Sequence, residues 1–92
     1  MFLDDELIQI YNEEKHNMDN CMNLLVQAMV KRLPRPETVK PGDNPINMFK
    51  RIDASWRMFC SKVDDSKFKP DGFRNLVKQS DLEGKVVKAL GW

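Results

Sequence analysis

The segment from Asn44 to Val63 does most to restrict what this chain can fold into. Asn44 is a residue type that caps helices, and Pro45 follows at the first helical position, where a missing N–H does no harm. Met48, Phe49, Ile52, Trp56, Phe59 and Val63 then trace one stripe at helical spacing. No part of the chain alternates apolar and polar residues as a strand would. The spacing predicts a helix over 45–62 at the centre of the core, with Trp56 its most buried aromatic. Burying Phe49, Trp56 and Phe59 at about 25 cal/mol per Å2 contributes several kcal/mol.

Ahead of it, Leu7, Tyr11, Met18, Cys21/Met22, Leu25 and Met29 recur at three- and four-residue steps, interrupted by the polar pair Glu14/Lys15. Asp4 is placed to cap the start, Lys31 and Arg32 suit the negative end of the dipole, and Pro34 stops the run. One helix over 4–32 is the expectation, about 45 Å long at about 1.5 Å per residue. The alternative is a break near His16-Asn17, with Asp19 capping a second helix.

Pro34 to Asn44 holds three prolines and a glycine, reads as an ordered or semi-ordered loop, and joins two helices expected to pack antiparallel. Its prolines are not in PxxP spacing, which argues against a ligand for a proline-recognition domain. Val63-Asp64-Asp65-Ser66 breaks the pattern. Pro70 is expected to start a short helix over 70–78 carrying Phe73, Leu76 and Val77. Ser80 and Glu83 have the spacing of a capping box for a last helix over 81–90 with Leu82, Val86, Val87 and Leu90. Gly91 is placed to end it in a left-handed conformation, so that Trp92 folds back on Val87. The fold class is therefore all-α: a single-domain four-helix bundle over 1–92 with one long N-terminal helix.

Ninety-two residues, 41% hydrophobic and 32% charged, suit one water-soluble globule. Asp4, Asp5 and Glu6 stand where a signal peptide would be basic, and no apolar run reaches membrane-spanning length, so a cytoplasmic address is expected. Cys21 and Cys60 fit no metal-ligand spacing, and each falls on an apolar stripe, so both are expected to be reduced and buried.

Catalytic groups are scarce. The single histidine, His16, lies five residues from Cys21, about 500° round a helix and off its face, so only Cys60 could meet it through the fold. Glu13 and Glu14 are adjacent and diverge, and the four glycines are isolated, so no phosphate-cradling loop forms. No catalytic residue, metal, cofactor, small-molecule substrate or membrane partner is expected.

Charge is unevenly spread along the chain. Residues 1–20 hold six acids against Lys15, giving −5, while residues 21–63 hold eight bases against Glu37, Asp43 and Asp53, giving +5. Lys31, Arg32, Arg35, Lys50, Arg51 and Arg57 supply a nucleic-acid-binding alternative, with phosphates as their target. The same bases also suit the solvated face of a helix, or an internal match to the acidic N-terminus. A helix-turn-helix reading of 70–90 has Lys85 and Lys88 in its favour and Glu83, which would face DNA, against it.

Six methionines, with Met58 and Val26 beside the main stripes, favour an adaptable apolar surface. A long first helix would leave part of its stripe uncovered, and another chain is the natural cover. The leading expectation is a non-enzymatic interaction module that binds a protein partner, itself included, through Leu7, Tyr11, Met18 and Met22. No family motif emerges. In scale and lack of catalytic groups the chain is similar to the small accessory proteins that phages and mobile elements encode.

Overall fold

The N-terminal third folds back on itself. In the computed structural model, which describes residues 3–33, 42, 44–81 and 83–92, it forms two helices, α1 (Leu3–Glu14) and α2 (Met18–Val30). This corrects the expected continuous helix. The break falls at His16-Asn17, and the cap is Asn17, not Asp19. Asn17 takes an extended backbone (φ −128°, ψ 91°), and its side-chain oxygen accepts a hydrogen bond from the Asn20 N–H at 3.3 Å. Asn17 N–H closes the end of α1 on the Glu14 carbonyl at 2.9 Å, and the Asn20 amide ties across to the Glu14 carboxylate at 2.8 Å.

The physical reason lies in the run Asn12 to Asn17, six polar residues that offer nothing to bury. Asparagine competes with the helix ladder for backbone groups, and it is among the best N-caps. At this point a turn costs little. It lets both halves of the apolar stripe reach one core: Leu3 and Leu7 from α1, and Cys21, Leu25, Ala28 and Met29 from α2, are all buried. The molecule measures 40 × 25 × 20 Å, shorter than an uninterrupted helix of about 45 Å would be. Asp4 lies inside the first turn of α1 and pairs with Lys62 at 3.7 Å, so it is no cap.

The central helix, α3 (Pro45–Val63), forms as the sequence indicates. Asn44 caps it by accepting from the Ile46 N–H at 3.0 Å, and it ends where Asp64 turns left-handed (φ 48°). It packs against α1 and against both C-terminal helices. Trp56 and Phe59 meet Tyr11 and Phe68 in a cluster of mostly edge-to-face rings with centroids 5.1–6.0 Å apart. Phe59 is fully buried and Trp56 is 2% exposed, so Phe59, rather than Trp56, is the deepest aromatic of this helix.

The C-terminal helices are α4 (Gly72–Ser80) and α5 (Lys85–Leu90), both shifted from their expected bounds. Pro70 and Asp71 form a turn ahead of α4. The expected capping box does not form: Ser80 ends α4, and its hydroxyl donates to the Val77 carbonyl at 3.1 Å. Asp81 takes the capping role across the turn, accepting from the Val87 N–H at 2.8 Å, while Gly84 supplies the left-handed step (φ 69°). Gly91 ends α5 with φ 76°, and the Trp92 N–H reaches back to the Val87 carbonyl at 3.2 Å, as expected of that cap. The Trp92 ring stands edge-on to Phe73 at 6.0 Å.

Among the described residues the fold is all-helical, with five helices, and none is long and apolar enough to cross a membrane. The Pro34–Asn44 loop, with Arg35 in it, lies outside the described residues except for Gly42 and Asn44, as does Leu82. Asn17→Ala should destabilise the protein by about 0.5–2 kcal/mol through loss of the cap. Urea unfolding followed by circular dichroism measures this, and an unchanged midpoint would show that the turn is held by something else.

Candidate functional site

Bending the chain at Asn17 sets α2 beside α4 without packing them tightly, since α2 rests on α1 and α4 on α3. Between them runs a cleft of about 460 Å3. One wall is Met22, Val26 and Met29, spaced at i, i+4 and i+7 on one face of α2. The facing wall is Gly72, Asn75, Leu76 and Gln79 of α4, and Trp56 of α3 lines it from beneath. Met22, Val26 and Leu76 are half-buried, so each shows apolar surface to the cleft while resting on the core.

Trp56 and Gly72 fix one end of the cleft together. The indole N–H donates to the Lys69 carbonyl at 2.7 Å, tying the loop between α3 and α4 to the core. A Cβ at position 72 would lie 2.9 Å from that indole nitrogen, so only glycine lets α4 begin this close to the ring. Lys67, Lys69 and Asp71 stand around that end.

The four residues expected to bind protein do not form one surface. Leu7 is fully buried and offers nothing to a partner. Tyr11 is half-buried, edge-on to Phe59 and Phe68, with its hydroxyl donating to the Asp65 carboxylate at 3.4 Å. Met18 is half-buried at the start of α2, and Met22 alone of the four lines the cleft. The other wall, on α4, is not legible as a site: Leu76 reads as core, and Gly72 only as one of four isolated glycines. A stripe recurring at 72, 76 and 79 was the available signal.

Three of the six basic residues, Lys31, Arg32 and Arg57, are engaged in ion pairs within the molecule. Lys31 bonds Glu6 at 3.2 Å, and Arg32 pairs with the same carboxylate while also donating to the Ala28 carbonyl at 3.0 Å. Burial pushes the Glu6 carboxyl up, but the hydrogen bonds and charges of Arg32 and Lys31 outweigh it and hold it below its ordinary 4.5. Stability from this cluster is present above pH 4.5 and is lost as pH falls through the lowered value. Arg57 pairs with Asp53 at 3.5 Å. Lys50 and Arg51 are exposed, with no ion pair among the described residues.

Asp53 is a structural residue that in the sequence counts only as one acid in the charge balance of residues 21–63. It is 6% exposed and also takes Arg74 from α4 at 3.2 and 3.3 Å, while the Arg74 guanidinium lies over the Trp92 ring, 4.9 Å from its centroid. Its spacing to Arg57 at i+4 and its place beside Ile52 were the signals available.

For the helix-turn-helix reading, Lys85 is paired with Glu83 at 2.8 Å and α5 has six residues. His16 is exposed in the α1–α2 turn. Cys60 borders a second cleft with Arg57, Ser61, Asp64, Asp65, Ser66, Phe68 and Pro70, and His16 is not among its lining residues. Both cysteines are unbonded and buried. Burial pushes both thiols up, Cys60 to about 11, which leaves little thiolate near neutral pH. The stabilising effect of keeping Cys60 neutral is complete below about pH 9 and is lost as pH rises through about 11.

Two alkyl groups should therefore add under denaturing, non-reducing conditions, and almost none to the folded protein at pH 8 over the same time. Rapid labelling of folded Cys60, read by peptide mass, would contradict its burial.

No family model matches this chain, and no curated protein or solved structure matches it.

Proposed function

We propose that this protein is a non-enzymatic interaction module that binds a protein partner in the cleft between α2 and α4. The observation that carries this reading is the cleft's lining. Met22, Val26 and Leu76 face one another from two helices, half-buried over Trp56, with Asn75 and Gln79 flanking Leu76 and Lys67, Lys69 and Asp71 at one end. Methionine adapts to varied side chains, and an apolar centre within a polar rim is the usual build of a protein-docking surface. The expected site moves with the fold, from the whole first stripe to its Met22–Met29 half. The nucleic-acid alternative has less support, because Lys31, Arg32 and Arg57 are engaged by Glu6 and Asp53.

The test is capture of native complexes with wild type, with Val26→Asp and with Lys50→Glu/Arg51→Glu, each with and without nuclease. Lys50 and Arg51 are the suitable pair for charge reversal, since reversing Arg57 would set a second carboxylate beside buried Asp53. The complex is expected to survive nuclease and charge reversal and to be lost in Val26→Asp, with helical content unchanged. A complex removed by nuclease or by the charge reversal, yet kept by Val26→Asp, would refute the proposal.

A further inference from the structure

We infer that the occupant of the α2–α4 cleft is an acidic amphipathic helix of another protein, a step that rests on the docking function proposed above. Two features of the cleft select it.

The first is shape. The α2 wall runs from Met22 to Met29 and the α4 wall from Gly72 to Gln79. Each spans seven positions, about 10 Å or two helical turns. Two walls of that length accept apolar side chains at i, i+3 or i+4, and i+7 of an inserted helix. With no strand among the described residues, the cleft offers no sheet edge to an extended segment, so recognition there is by side chains.

The second is charge. Lys67 and Lys69 stand at one mouth, exposed and without an ion pair among the described residues. Their positions are held by the loop that carries them. Phe68 between them is buried, the Lys67 N–H bonds the Asp65 carboxylate at 3.0 Å, and the Lys69 carbonyl takes the Trp56 indole. The buried phenylalanine sends its two neighbours to the surface together. Asp71 is the one carboxylate in the lining, and it precedes the first turn of α4, whose positive end offsets it. The remaining polar lining, Asn75 and Gln79, is neutral. A helix with glutamate or aspartate flanking its apolar stripe meets both lysines. A lysine-flanked helix meets like charge.

Three synthetic helices of about 18 residues, long enough to hold helical structure, serve as probes. They share one leucine stripe and carry glutamate, glutamine or lysine at the flanking positions. Binding of each to the full-length protein is measured by fluorescence anisotropy at low salt and at about 0.5 M salt. The glutamate probe should bind about tenfold tighter than the glutamine probe at low salt, and the margin should close at high salt. Lys67→Glu/Lys69→Glu should invert the order of the charged probes, and Val26→Asp should abolish binding of all three. Both variants lie at exposed or half-buried positions, and circular dichroism checks that each keeps its helical content.

Equal binding of the three probes, lost in Val26→Asp, would overturn the charge assignment and leave the docking reading intact. Binding that ignores Val26→Asp would overturn both, and so would the absence of binding by every probe together with complexes that survive Val26→Asp. A doubled mass in solution that reverts in Val26→Asp would make a second copy of this chain the occupant and overturn the assignment to another protein.

Discussion

At Asn17 one hydrogen-bond ladder ends and another begins, and the rest of the molecule follows from that. Its side chain satisfies an amide of the incoming helix while its own amide closes the outgoing one. The resulting hairpin brings Glu6 onto Lys31 and Arg32, residues that an unbroken helix would hold nearly 40 Å away at about 1.5 Å per residue. Part of the charge asymmetry of the sequence is thereby matched within the fold: Glu6 in the first turn of α1 meets the basic end of α2, and Asp4 reaches Lys62 on α3. Each pair is partly exposed and individually weak, so their value lies in fixing how the three helices align.

The other half of the fold is tied to α3 by a buried charge. Asp53 is held in the interior by Arg74 and Arg57, and Arg74 in turn covers Trp92. A carboxylate at that depth is tolerable only with such partners, because without the guanidiniums its charge would be left uncompensated. The chain end, α4 and α3 are thus locked together by one polar cluster beside an aromatic one. Trp56 belongs to the core through its ring and to the loop through its N–H, and it transmits the position of α3 to the start of α4.

Much of this was legible in the residues, and the failures have common causes. Asn44-Pro45 and the stripe from Met48 to Val63 indicated α3 because cap, first-turn proline and apolar period all agree there. Gly91 was legible as a left-handed helix stop, whereas Trp92 returns to Val87 only through its N–H and sets its ring against Phe73. At Asn12–Asn17 the apolar period on either side stays in phase across a polar gap, so periodicity favours one helix while local capping favours two; burial of both halves decides it. Ser80 and Glu83 have capping-box spacing, but Asp81, closer to the turn, takes the amide of Val87 instead. The cleft was only half visible, since Met22 and Val26 drew notice on α2 while Leu76 on α4 is indistinguishable from core until the two helices are set side by side.

The functional reading depends on the hairpin, since only a chain bent at Asn17 sets Met22 and Val26 opposite Leu76. The most direct measurement is therefore the distance between spin labels carried on unnatural side chains at Asp5 and Val30, both exposed and at the two free ends of the hairpin. The hairpin predicts a short distance, a fraction of the helical value. A distance near 38 Å, about 1.5 Å for each intervening step, would mean one continuous helix and would leave the cleft without its second wall.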